Sequence, residues 1–165
     1  MGHGYDPNEW RPFFDTVVPA GAALLGLLFV AASVRIQVVT ESPRHRSRAR
    51  EALGQLLVLV ILGLLVLIPA QSRQVLGSEL LAYGAIVGAI TVRLQSNTLG
   101  RLAPGSRMRW FVRYLVYDVG VVAILVAGLG LLLQALGGLY WLVLTTVVFF
   151  AWSSLQAWLL LVEAQ

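Results

Sequence analysis

Long apolar runs, broken by short polar clusters, dominate the chain. Five runs approach the roughly 20 residues that an α-helix needs to cross a bilayer: residues 13–39, 52–70, 78–94, 111–136 and 139–162. The pattern predicts an all-α, polytopic transmembrane helix bundle forming one domain over residues 1–165. Pro19 falls near the start of the first run, where proline is tolerated in a first turn or kinks the helix. The second run is almost pure Leu, Val and Ile, and Pro69 closes it. The third is the shortest and least hydrophobic. The alternative to five spans is four, with this third run re-entrant or packed inside.

The connections alternate in character. Residues 41–50 hold Arg44, Arg46, Arg48 and Arg50, whereas residues 71–77 hold only Arg73. Residues 95–110 hold Arg101, Arg107 and Arg109, flanked by Arg93 and Arg113; Gly137-Gly138 forms a tight turn without charge. Arginine gathers in cytoplasmic loops. The expected topology therefore has the first and third connections inside, the N-terminus outside and the C-terminus cytoplasmic. Residues 1–10 carry Asp6 and Glu9 but no Lys or Arg, unlike the start of a signal peptide, so the first run is expected to be a retained helix.

Composition moves the same way. The chain is 58% hydrophobic and 12% charged, with a mean hydropathy of +0.80. Soluble domains are about a quarter charged, so lipid is the expected outer solvent. All 12 basic residues are arginine and the net charge is +4. In a membrane protein this excess points to anionic lipid headgroups at Arg44, Arg46, Arg48, Arg50, Arg107 and Arg109, not to nucleic acid. A lysine-free chain rich in Ala, Leu, Val, Gly and Arg fits a GC-rich bacterial genome, hence a bacterial cytoplasmic (inner) membrane. Cysteine is absent. The only histidines, His3 and His45, have no Asp or Glu at metal-ligand spacing. No phosphate-binding loop, GxSxG or HExxH is present. No cofactor, metal or catalytic residue is expected, and the chain reads as a non-enzyme.

Small residues mark packing faces. Gly84 and Gly88 form a GxxxG pair, and Ala22 with Gly26, Ala123 with Ala127 and Ser153 with Ala157 share the small-xxx-small spacing. Such faces let helices approach closely where no hydrophobic drive exists between them. They serve packing within one chain or between subunits. The second run carries only Gly54 and Gly63 among branched residues and is expected to face lipid.

Charge inside a span is costly and usually faces the protein interior. Arg35, Arg93 and Asp118 fall at similar expected depths, roughly 5–12 Å below the arginine-rich side at 1.5 Å per residue. Asp118 is expected to pair with Arg35, Arg93 or both, as a register-fixing ion pair or as part of a transport site. Either arginine alone can instead snorkel to headgroups. A second, outer-side polar set comprises Asp15, Arg73 and Glu79. Ser78 can cap the third helix, with Glu79 in its first turn. Ser33, Thr91, Thr145, Thr146, Ser153, Ser154 and Gln156 lie deep, and most can bond a carbonyl one turn back. Trp110, Tyr114, Tyr117, Tyr140 and Trp141 fall at span ends, as an interfacial belt does.

The stretch A-G-A-A-L-L-G-L-L-F-V-A-A-S from Ala20 to Ser33 resembles the opening helix of a group of small actinobacterial membrane proteins. I-P-A-Q at Ile68 to Gln71 and L-G-S-E-L-L at Leu76 to Leu81 resemble that group too, over roughly the first half of the chain. The group is often labelled a modulator of a membrane-bound ATP-dependent protease. The resemblance implies a regulatory partner and carries no catalytic residues over. Taken together, the residues favour a homo-oligomeric, channel-like or small-solute and ion transport assembly. The alternative is a non-catalytic accessory subunit of a larger membrane complex.

Overall fold

The structure, a computed structural model, describes residues 4–34, 43–99 and 107–162, with side-chain surroundings for 4–34, 46–96 and 115–158. These residues form five helices: α1 (Pro7–Val34), α2 (Pro43–Leu67), α3 (Arg73–Leu99), α4 (Arg107–Leu133) and α5 (Tyr140–Val162). All five are long and apolar enough to cross a membrane.

Most of the helices begin before the apolar runs do, because polar residues supply first turns that hydropathy does not see. Pro7 opens α1 where its missing N–H is no loss, and Asp6 Oδ1 accepts from the Asn8 backbone N–H at 2.9 Å. Ser72 Oγ accepts from the Val75 N–H at 3.3 Å, which makes Ser72 the cap of α3. This corrects the expectation for Ser78 and Glu79. Ser78 sits a turn and a half further along and donates to the Val75 carbonyl at 2.8 Å, so Glu79 lies beyond the first turn. With 27 residues, α3 is as long as α4, and the third run gives a full helix, not a re-entrant one.

One end of the bundle gathers the N-terminal segment, the α2–α3 link and the α4–α5 turn. The last of these takes left-handed backbone at Gln134, Leu136, Gly137 and Gly138. A Cβ on Gly138 would run into the Gly4 carbonyl oxygen and the Tyr5 ring. That approach lets the Leu139 N–H donate to Gly4 O at 2.9 Å and the Gly137 N–H to Tyr5 Oη at 3.3 Å. Trp10 meets Tyr140 edge to face at 4.9 Å, and Arg11 donates to the Leu67 carbonyl at 3.3 Å, satisfying an orphan acceptor at the end of α2. We call this the clasped end. The opposite end, reached by the arginine-bearing connections, is the arginine end.

The most extensive helix pairs are α3 with α4 and α1 with α2, and α5 joins them by packing on both α4 and α2. Toward the clasped end all five helices bury a continuous apolar core around Phe14, Leu62, Leu76, Leu80, Leu131 and Leu142. A smaller cluster of Leu28, Ala52 and Leu56 holds α1 to α2 nearer the arginine end.

The expectation that the second span faces lipid is corrected. In the most apolar stretch of α2, 44% is buried, against 17% in α1. Leucine size did not exclude α2 from the centre, because gaps open on both sides of its contact with α1: Gly21 of α1 stands against Val60. Gly63 of α2 takes Val18 and Phe14 of α1, and Leu59 and Leu62 are completely buried. Only Leu57, Ile61 and Leu64 leave their face open.

Candidate functional site: a polar seam inside the bundle

Gln55 is the sole polar side chain between Ala52 and Leu67, and it is completely buried. It faces α5, where its Oε1 accepts from Ser153 Oγ at 3.2 Å. Its Nε2 has no hydrogen-bond partner among the described residues, and neither has the buried Nε1 of Trp152. Gln156, one turn beyond Ser153 on α5, is also buried. Glu51 lies one turn from Gln55 toward the arginine end, on the same face of α2, and is half-buried. The Tyr117 hydroxyl of α4 donates to the Glu51 carbonyl at 3.1 Å, and its ring tilts against Phe149 at 5.7 Å. Further along, Thr145 donates to the Gly120 carbonyl at 3.3 Å, bridging α5 to α4.

These groups form a seam between α2, α4 and α5 that runs from the arginine end to mid-bundle. It then meets the leucine core of the clasped end. A buried donor left without a partner costs about 1–3 kcal/mol. In lipid no bulk water offsets that, which makes the Gln55 amide the candidate functional group of the seam. Hydroxyls can relay protons, and amide and hydroxyl oxygens can replace part of an ion's hydration shell. Among the described residues no group of three or more His, Cys, Asp or Glu gathers as a metal site.

The charges singled out in the sequence are distributed differently. Asp118 is exposed on α4 and accepts from Gln95 Nε2 of α3 at 2.9 Å. Arg93 is exposed, and no ion pair joins it to Asp118 among the described residues. The reason is angular. Leu80, Gly84, Val87 and Thr91 form the inward stripe of α3, and Gln95 continues it. Arg93, two residues before Gln95, is turned about 200° away. Similar depth did not mean a shared face. Arg35 lies outside the described residues, as does His3. Arg44, His45, Arg107 and Arg109 belong to helices, but their side-chain surroundings lie outside the described residues too. Arg46 and Arg50 are exposed and Arg48 is half-buried.

The outer set also separates. Asp15 is exposed on α1. Glu79 accepts from Gln71 Nε2 at 2.5 Å. The Arg73 guanidinium faces the side-chain amide of Gln134, whose oxygen, turned toward it, accepts from Nε at 3.2 Å and from both terminal nitrogens. These residues share the clasped end without forming one cluster. Ser33, Thr91 and Thr146 bond carbonyls one turn back, each at 2.8 Å. Tyr117 turns inward to the seam, whereas Tyr140 and Trp141 stay exposed at the start of α5.

Sequence reasoning singled out Ser153 and Gln156 but passed over Gln55 and Glu51. The available signal was Gln55 itself, one amide in an otherwise unbroken apolar helix. Comparison with family profiles, curated proteins and solved structures finds no match for this chain.

Proposed function

We propose that this multi-pass membrane protein is a homo-oligomeric assembly that passes protons or small ions, with the Gln55 seam as its polar path. The observation that carries the reading is the completely buried Gln55 with an unpartnered Nε2. The seam supplies the polar half of a route from the arginine end. The Leu59, Leu62, Leu131 and Leu142 core beyond it acts as a hydrophobic constriction, the kind of element that gates by excluding water. On the positive-inside reading, the arginine end is cytoplasmic and the membrane is a bacterial inner membrane.

The test is reconstitution of the purified chain into vesicles, with release of trapped potassium and collapse of an imposed proton gradient followed separately. The mass of the particle is measured in the same preparation. Flux above protein-free vesicles from a defined oligomer supports the reading. A monomer with no flux under either gradient contradicts it.

A further inference from the structure

On the lipid-facing side of α1 and α2, toward the arginine end, a groove of about 890 Å³ opens between the two helices. Ala22, Gly26 and Ser33 of α1 form one wall and Arg46, Arg50 and Leu57 of α2 belong to the other. Its lining is almost wholly apolar. Ser33 Oγ is already committed to the Phe29 carbonyl at 2.8 Å. Nothing lies within 4 Å of where a Gly26 Cβ would stand, so the small residues here open a trough and do not seat a neighbouring helix.

We propose that this groove binds one anionic phospholipid, with an acyl chain along α1 and α2 and the phosphate at Arg46 and Arg50. Two observations favour that occupant over a helix of a second copy. First, among the described residues charge sits at one end only: Arg46 and Arg50 are one turn apart on the groove face, at its mouth. Second, the lined stretch covers 12 residues of each helix, 22 to 33 and 46 to 57, roughly 16 Å from end to end at 1.5 Å per residue. That matches one leaflet, half of a hydrocarbon core about 30 Å thick. A packed helix would need contacts through both leaflets. The inference rests on the membrane-spanning character of the helices and is independent of any flux through the seam.

The test uses the full chain in nanodiscs of phosphatidylglycerol and phosphatidylcholine, followed by native mass spectrometry of retained lipid. Wild type is expected to keep one phosphatidylglycerol per chain. A cation near an anionic headgroup contributes roughly fivefold, so R46Q/R50Q together should lower retention roughly twenty-five-fold. G26L, which fills the trough, should remove the lipid while the arginines remain. If G26L lowers the helical circular dichroism, R50Q alone, at an exposed position, carries the test with a roughly fivefold loss. Equal retention of phosphatidylcholine overturns the proposal. So does unchanged phosphatidylglycerol retention in the arginine variants, or a G26L chain that changes only its oligomeric mass.

Discussion

Two helix pairs carry the same small-residue spacing and use it in opposite ways. In α3–α4 the glycines are consumed. The spaced pair closes on α4, Gly84 taking Leu125 and Gly88 taking Val121, and beside it Cβ atoms on Gly128 and Gly77 would each meet the other's carbonyl oxygen, at 2.9 and 3.1 Å. In α1–α2 the helices close at Gly63, which takes Val18 and Phe14, and around Leu28, Ala52 and Leu56, while the spaced pair Ala22 and Gly26 stays open on the groove. The spacing therefore encodes permission for close approach, and the partner's side chains decide whether that permission is taken up. Across α3–α4 the partner offers another glycine. Along the groove of Ala22 and Gly26 the α2 wall carries Leu53, Gly54 and Leu57, and among the described residues none comes within 4 Å of a Gly26 Cβ.

Substitutions can break this contrast. Gly128→Leu should have the largest effect. The atoms around it, Gly77 O and Leu81 N, are backbone, so α3 must move away from α4. A loss of about 3 kcal/mol is expected, read as a lower midpoint of thermal unfolding in detergent. Tyr117→Phe comes next, deleting the bond to the Glu51 carbonyl at a cost of about 1 kcal/mol. Gly26→Leu should shift stability by less than about 0.5 kcal/mol, because its side chain enters open space. A destabilisation equal to that of Gly128→Leu would end the distinction between the two pairs. Asp118→Asn should have the smallest effect, since an amide still accepts from Gln95 and no arginine loses a partner among the described residues. A thermal midpoint several degrees lower would restore the ion-pair reading.

Helix number and the placement of the α4–α5 turn were legible in the sequence because they depend on local quantities: run length, and the glycines at 137 and 138. Helix starts were legible only in part. Asp6 and Ser72 cap first turns that are polar and therefore invisible to a hydropathy window. Which face points inward was not legible, because it depends on the neighbours. Arg93 and Gln95 differ by two residues and nearly half a turn, and only the position of α4 assigns Gln95 to Asp118. The same holds for α2. Its leucines satisfy lipid and core equally well, so burial at the centre follows from how α1 fits against it, at Gly63 of α2 and at Gly21 of α1, and not from its hydropathy. Gln55 was visible as an exception within that helix, and its importance rests on the burial that the fold imposes.

The central claim is that Gln55 is retained for passage, not for packing, and Gln55→Leu tests it most directly. Leucine keeps the volume and removes the unpartnered donor, and Ser153 can turn to a carbonyl one turn back. Thermal stability should hold or rise by about 1 kcal/mol, while potassium and proton flux from vesicles falls to the protein-free level. A Gln55→Leu chain that conducts like wild type, or that unfolds more easily with flux intact, would contradict the account.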